Sequence, residues 1–360
     1  MASIDVEYTK GGEKRYVVHY RDPEGKSREK WEKRKVDAEK FARNIATDID
    51  RGAYIDPRSG RISVATWLAE VESAKASRQE ATVARDRSLI DTHILPAFGN
   101  RQLASVKPVE VRRWVSELSA TGLAADTVRK CHRLLANAFE VAVGDGLLVR
   151  SPATGTSLPK PTRSEIRVID LDQIAVLAAA IAPRYRALVL GAAFTGLRFG
   201  ELAALRVGRL DMLRRNLRVE EAVNEVEGRL VFGAPKTASS IRNVSMPKAL
   251  VDELALHMSE FPPSDDGLVF TAPSGGPLRR NNFRRRVWLP AVEESVGPPL
   301  RFHDLRHSHA AVLIATGQHP KLIQTRLGHS SIRTTLDIYG HLFDGIDRAA
   351  ADAIDEALTA

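Results

Sequence analysis

The residues best suited to chemistry in this 360-residue chain lie near its C-terminus. Arg301-Phe302-His303-Asp304-Leu305-Arg306-His307-Ser308-His309 is followed by Leu327-Gly328-His329-Ser330-Ser331, and then by Thr334-Thr335-Leu336-Asp337-Ile338-Tyr339-Gly340-His341. These segments set imidazoles, a guanidinium and a phenol at intervals that suit phosphate chemistry. A guanidinium grips a phosphate through two parallel hydrogen bonds. An imidazole passes a proton near neutral pH. A phenol, with an ordinary pKa of about 10, becomes a covalent nucleophile once a base or nearby cations help remove its proton. The competing reading of Tyr339 is a half-buried packing residue.

His303 and Arg306, three positions apart, fall on one helical face, which an ordinary polar helix face would also explain. The histidines at 303, 307, 309, 329 and 341 raise a metal reading. His303 and His307 stand one turn apart, but Asp304 occupies the place of the glutamate in a His-Glu-x-x-His zinc motif. No metal and no cofactor are expected.

Two upstream segments complete the inventory. In Thr195-Gly196-Leu197-Arg198-Phe199-Gly200-Glu201-Leu202, Gly196 suits the end of an apolar helix. A new helix is predicted from about Arg198, with Glu201 one turn later on the same face; a surface ion pair, worth little, is the plain alternative. In Pro235-Lys236-Thr237-Ala238-Ser239-Ser240-Ile241-Arg242, Lys236 lies between two predicted strands, on a hairpin tip. It either reaches into a cleft to deliver a proton or is a solvated turn lysine.

The elements that must position these groups fall into three blocks. In the first, residues 15–20 and 27–31 read as strands around the turn Asp22-Pro23-Glu24-Gly25, followed by a polar helix over 36–50. In the second, from about 62 to 149, Ala, Leu and Val at helical spacing predict a bundle. Its helices are expected at 64–73 (capped by Ser63), at 82–94, from Lys107-Pro108 and at 127–143, with a break at Pro96-Ala97-Phe98-Gly99-Asn100. Residues 151–161, rich in Ser, Pro, Thr and Gly, read as a linker. The third block opens near Arg167 with a helix capped by Asp170 or Asp172, then an apolar helix over 185–195, short strands at 217–220, 230–232 and 242–246, and helices from Arg280 onward. The fold class expected is mainly α with small β elements (α+β).

The formal net charge of +8 is spread along the chain and is compatible with a nucleic-acid partner. Arg279, Arg280, Arg284, Arg285 and Arg286 form the densest basic run. One cysteine, Cys131, excludes an internal disulfide and a cysteine-based zinc site. No apolar run of about 18 residues predicts a membrane span, and the N-terminus lacks the regions of a signal peptide, so a cytoplasmic protein is expected.

Taken together, Thr195 to Leu202, Lys236, His303-x-x-Arg306, Leu327-Gly328-His329 and Tyr339 resemble the tyrosine recombinase (phage integrase) family. The resemblance covers the third block. It implies a catalytic domain over 165–345, a helical core-binding domain over 62–150 and an arm-type DNA-binding domain over 1–58, here a hairpin with one helix. Residues 346–360, with Ile346, Ala350, Ile354 and Leu358 on one stripe, read as a C-terminal helix that either packs on its own domain or docks on a neighbouring protomer, and the resemblance favours the neighbour. The resemblance implies that Tyr339 attacks a backbone phosphate to form a 3′-phosphotyrosyl bond. Arg198 and Arg306 would clamp the phosphate, Lys236 would protonate the leaving 5′-oxygen, His303 would help take the tyrosine proton, His329 would hydrogen-bond the phosphate, and Glu201 would support Arg198. The partners implied are double-stranded DNA attachment sites, a homotetramer on DNA and an accessory DNA-bending or directionality factor. A non-catalytic DNA-binding regulator and a type IB topoisomerase are the rival readings.

Overall fold

Alternating residues at the start of the chain build one strand more than the hairpin expected from sequence. In the computed structural model, β1 (Ser3–Tyr8), β2 (Lys14–Arg21) and β3 (Ser27–Glu32) form an antiparallel sheet in that order. The period-2 pattern of Ile4, Val6 and Tyr8 that marks β1 is short, and the strand is an exposed edge. Val17, Val18 and Tyr20 of β2 are buried, as are Ala38 and Ile45 of α1 (Lys35–Asp50), which packs on the sheet. The structure describes residues 2–9, 11–50, 54, 59–75, 78–161, 166–235, 238–343, 354–355 and 357–359. It separates into two units, residues 1–163 and 164–360.

The first unit also holds α2 (Val64–Ser73), α3 (Glu80–Leu89), α4 (Leu95–Phe98), α5 (Pro108–Ala120) and α6 (Ala125–Gly144). Ser63 caps α2 by accepting a hydrogen bond from the Thr66 amide at 3.1 Å. Proline opens α5, as expected. The break expected over Pro96 to Asn100 falls at its far end, Gly99-Asn100, because the chain stays helical to Phe98. A widened π turn over Ile90–Ile94 precedes Pro96 and absorbs its missing backbone donor. Trp67, Trp114, Leu135 and Phe139 anchor this core.

The second unit begins with α7 (Leu171–Ala180), α8 (Pro183–Thr195) and α9 (Phe199–Ala203). Of the two candidate caps of α7 it is Asp170 that accepts from Gln173, at 2.8 Å, while the Gln173 side chain answers the Asp170 amide. Five short strands follow: β4 (Leu210–Asp211), β5 (Asn216–Val219), β6 (Ala222–Val226), β7 (Arg229–Gly233) and β8 (Arg242–Ser245). They make two sheets, β4-β5-β8 and β6-β7. This corrects one expectation: β7 and β8, which flank Lys236, are not paired with each other, so the segment joins two sheets rather than turning a hairpin. Lys236 itself lies outside the described residues.

Helices α10 (Lys248–Glu260), α11 (Arg280–Phe283), α12 (Leu289–Glu294), α13 (Asp304–Ala315), α14 (Pro320–Leu327) and α15 (Ile332–Tyr339) complete the unit. A second π turn, Arg284–Trp288, again precedes a Leu-Pro pair, at Leu289-Pro290. Arg284, Arg285 and Arg286 are exposed on it, whereas Arg279 is tied to Glu225 at 2.8 Å. Helix α8 is buried on nearly every side, which explains its lack of a polar face. The stripe expected over 346–360 falls mostly outside the described residues; Ile354 and Leu358 are helical and exposed. The fold class is mainly α with small antiparallel sheets, as expected. Among the described residues no helix is long and apolar enough to cross a membrane.

Candidate active site

Gly196 makes the first corner. It caps α8 in the left-handed conformation, at φ 69°, which a side chain rarely adopts. A Cβ there would also meet Leu327 at 2.7 Å and His309 at 2.8 Å, so α13 and α14 approach this corner closely. Two residues on, Arg198 precedes the first turn of α9. Its amide donates to Glu201 Oε2 at 2.9 Å and its Nη1 to Oε1 at 2.8 Å.

Glu201 is buried, so the pair is no surface salt bridge. Arg242 at the start of β8, also buried, donates from Nη1 and Nη2 to the same carboxylate at 3.2 and 3.0 Å. Burial pushes the Glu201 carboxyl upward, but the hydrogen bonds and charges of Arg242 and Arg198 outweigh it and hold it below its ordinary value. A buried carboxylate needs this degree of pairing to stay charged. Arg242 also donates to the carbonyls of Arg326, at 2.7 Å, and Ser240, at 2.8 Å. Its guanidinium lies under Gly328, where a Cβ would meet Arg242 Nη1 at 3.0 Å. One carboxylate thus links the Arg198 corner, strand β8 and the loop that carries His329.

Arg306 lies in the first turn of α13 and is 2% exposed. It donates to the carbonyl of Gly196 at 2.6 Å and to that of Leu327 at 2.5 Å. Both accept at helix ends, where carbonyls lack intrahelical partners. Burial, then the charge of Arg198, brings its pKa down to about 9, so it remains a cation at neutral pH. His303, immediately before α13, is exposed, unlike Arg306. Loss of solvent around its ring, followed by the charges of Arg306, His307 and Arg198, pushes its pKa down to about 4. His329 follows Gly328, the left-handed cap of α14, and its Nδ1 lies 2.9 Å from the Thr335 hydroxyl. Burial and the three arginines Arg306, Arg198 and Arg242 push it to about 4 as well. Both imidazoles are therefore neutral at pH 7.

Tyr339 closes α15 and is 2% exposed. Burial raises its pKa to about 12, against the opposing charges of Arg306 and Arg198. Its hydroxyl lies 2.8 Å from Nδ1 of His307, whose ring meets that of His303 edge-on at 5.0 Å between centroids.

The structure therefore brings Arg198, Glu201, His303, Arg306, His329 and Tyr339 into one site from four separate stretches of chain. Two members were missed from sequence. His307 had a signal, since it stands one turn after His303 and next to Arg306. Arg242 had none, because its partner Glu201 is 41 positions away. Among the described residues no group of three His, Cys, Asp or Glu side chains is placed to hold a metal ion.

Behind the site, His309 is held as one tautomer. Its Nδ1 donates to the Ala193 carbonyl at 3.0 Å, and its Nε2 accepts from Arg326 Nε at 2.9 Å. Burial, then the charge of Arg326, lowers its pKa to about 3. Because the folded value lies below the unfolded value near 6.5, the unfolded chain binds more protons between those limits, and stability falls as pH falls from 6.5 toward 3. We expect the melting temperature of the wild type to fall more steeply between pH 6.5 and 4 than that of His309→Gln. Parallel curves in a thermal melt series would contradict this.

Residues 167–345 match the phage integrase family, and residues 65–119 match the phage integrase N-terminal SAM-like domain. The chain is 30% identical to the prophage phiRv2 integrase of Mycobacterium tuberculosis, over 88% of this chain and 85% of that protein. Its fold is similar to that of the Tn1549 transposon integrase solved with transposon right-end DNA, with a TM-score of 0.70 and 22% identity over 83% of this chain and all of that one. It is also similar to the lambda integrase solved as a tetramer on a Holliday junction, with a TM-score of 0.58 and 20% identity over 91% and 95% of the two chains.

Proposed function

The chain belongs to the phage integrase family and is a tyrosine-type site-specific DNA recombinase, and we propose that Tyr339 is its nucleophile. Arg198, His303, Arg306 and His329 surround the scissile phosphate, Lys236 is its proton donor, and Glu201 supports Arg198. The observation that carries this reading is Arg306. It is buried beside Tyr339 and bonded at once to Gly196, on the Arg198 corner, and to Leu327, next to the His329 loop.

In the first step the Tyr339 oxygen attacks phosphorus, a 3′-phosphotyrosyl ester forms, and the 5′-oxygen leaves. In the second, a 5′-hydroxyl from a partner strand attacks that ester and frees the tyrosine. Ester bonds are conserved in number, so no nucleotide hydrolysis is needed. Negative charge grows on the non-bridging oxygens as phosphorus becomes five-coordinate. Two fixed guanidiniums aimed at those oxygens supply what is usually the largest catalytic contribution. Arg306 cannot swing away, and Arg198 keeps 40% of its side chain exposed, open to an incoming phosphate. His303 and His329, neutral at pH 7, offer uncharged N–H donors. Lys236 protonates the leaving oxygen.

The substrate is a double-stranded attachment site, and the working assembly is a tetramer on DNA, a reading supported by the lambda integrase tetramer. Residues 62–150 grip the core site, residues 1–58 an arm site, and residues 346–360 dock on a neighbouring protomer. Covalent capture on a nicked suicide duplex tests the chemistry. A regulator would bind and capture nothing, whereas a type IB topoisomerase would relax plasmid without recombinant products.

Arg198→Lys keeps the charge and loses the planar fork. We expect strand cleavage to fall on the order of 10²–10³-fold with DNA affinity little changed. Near-normal single-turnover cleavage would remove Arg198 from the clamp.

A further inference from the structure

We propose that His307 is the group that takes the proton of Tyr339 when the phenol attacks phosphorus, and that it returns that proton when the ester is resolved. This deepens the reading above and rests on Tyr339 being the nucleophile. The geometry is direct. The Tyr339 hydroxyl lies 2.8 Å from His307 Nδ1, with both side chains buried. His303, by contrast, meets His307 edge-on through its ring, at 5.0 Å between centroids. The groups that act on His307 are Asp304, Arg301 and Arg306 from the start of α13 and the segment before it, together with His303 and Tyr339. Burial first, and the two arginines after it, keep the imidazole below its ordinary value despite Asp304. At neutral pH the ring is therefore uncharged. A phenol that donates into Nδ1 requires the ring proton on Nε2.

The Tyr339 O–H bond breaks and its proton passes to Nδ1, giving an imidazolium. The phenolic oxygen bonds to phosphorus as the bond to the 5′-oxygen breaks, and that oxygen takes its proton from the acid on the leaving side. In the reverse step the incoming 5′-hydroxyl loses its proton there, and His307 reprotonates the departing tyrosine.

His307→Asn tests this, because its amide oxygen can accept from the phenol near the position of Nδ1 and cannot hold a proton. With the full chain on a suicide duplex we expect cleavage to slow on the order of 10²–10⁴-fold. We expect the same factor when the leaving 5′-oxygen is replaced by sulfur, which needs no proton to depart. On the sulfur substrate the wild-type rate should fall as the pH drops below the ordinary histidine value, while the variant stays flat. Variant rates within about threefold of wild type, or full rescue by sulfur, would overturn the assignment. Should the variant melt early, nitrogen-15 shifts of the wild-type imidazole decide instead: a proton on Nε2 supports the assignment, and one on Nδ1 overturns it. A Tyr339→Phe control run alongside reports on the nucleophile alone, since an adduct formed by that variant would sink the underlying reading whatever His307 does.

Discussion

Tyr339→Phe is expected to bind an attachment-site duplex and to capture none of it covalently. The change removes one oxygen from a ring that is 2% exposed, so packing around α15 is conserved. What is lost is the hydrogen bond to His307, a net cost of roughly 0.5–1.5 kcal/mol in stability, and the atom that becomes esterified. None of His303, His307, His329, Arg198 and Arg306 carries a phenol that could take its place. DNA affinity comes mainly from phosphate contacts by Lys and Arg and should stay near the wild-type value in a mobility shift at matched salt. A protein–DNA adduct that survives denaturing gel electrophoresis with this variant would remove the central assignment.

The second large effect is expected at Arg306. Arg306→Lys keeps a positive charge, but an ammonium on a flexible stem cannot span the carbonyls of Gly196 and Leu327 with a rigid fork. One of those buried carbonyls loses its donor, at a cost of about 1–3 kcal/mol. The link between the Arg198 corner and the His329 loop loosens as well. We therefore expect a lowered melting temperature together with a loss of cleavage on the order of 10²–10³-fold or more, because a phosphate contact and its support fail together. Arg198→Lys, on a side chain 40% exposed, should lose activity with little change in melting. An Arg306→Lys variant that melts and cleaves like the wild type would show that neither the scaffold nor the clamp depends on this guanidinium.

Local features were legible in the sequence because their causes lie within a few residues. Ser63 before an apolar run, Asp170 three residues ahead of Gln173, and Gly196 after a long apolar helix each mark a helix end through groups that bond nearby. Corrections arose where the outcome depends on backbone beyond the residue's own type, in the turn before it or in the strand that pairs with it. Pro96 looked like a stop, and a widened turn upstream lets the helix pass. The strands around Lys236 looked like a hairpin, yet β7 pairs with β6 and β8 with β5. Both pairings are antiparallel, and strand propensity alone does not choose a partner.

The chain's sequence by itself determined the groups available for phosphate chemistry, the helices that carry most of them, and the family to which the chain belongs. Side-chain type and short-range spacing are properties of the covalent chain. Tertiary structure alone decided which imidazole meets the phenol, that Arg242 shares Glu201 with Arg198, and that Arg306 is buried while His303 stays exposed. Those outcomes depend on contacts between stretches 32 to 110 positions apart, and on how burial weighs against charge where they meet.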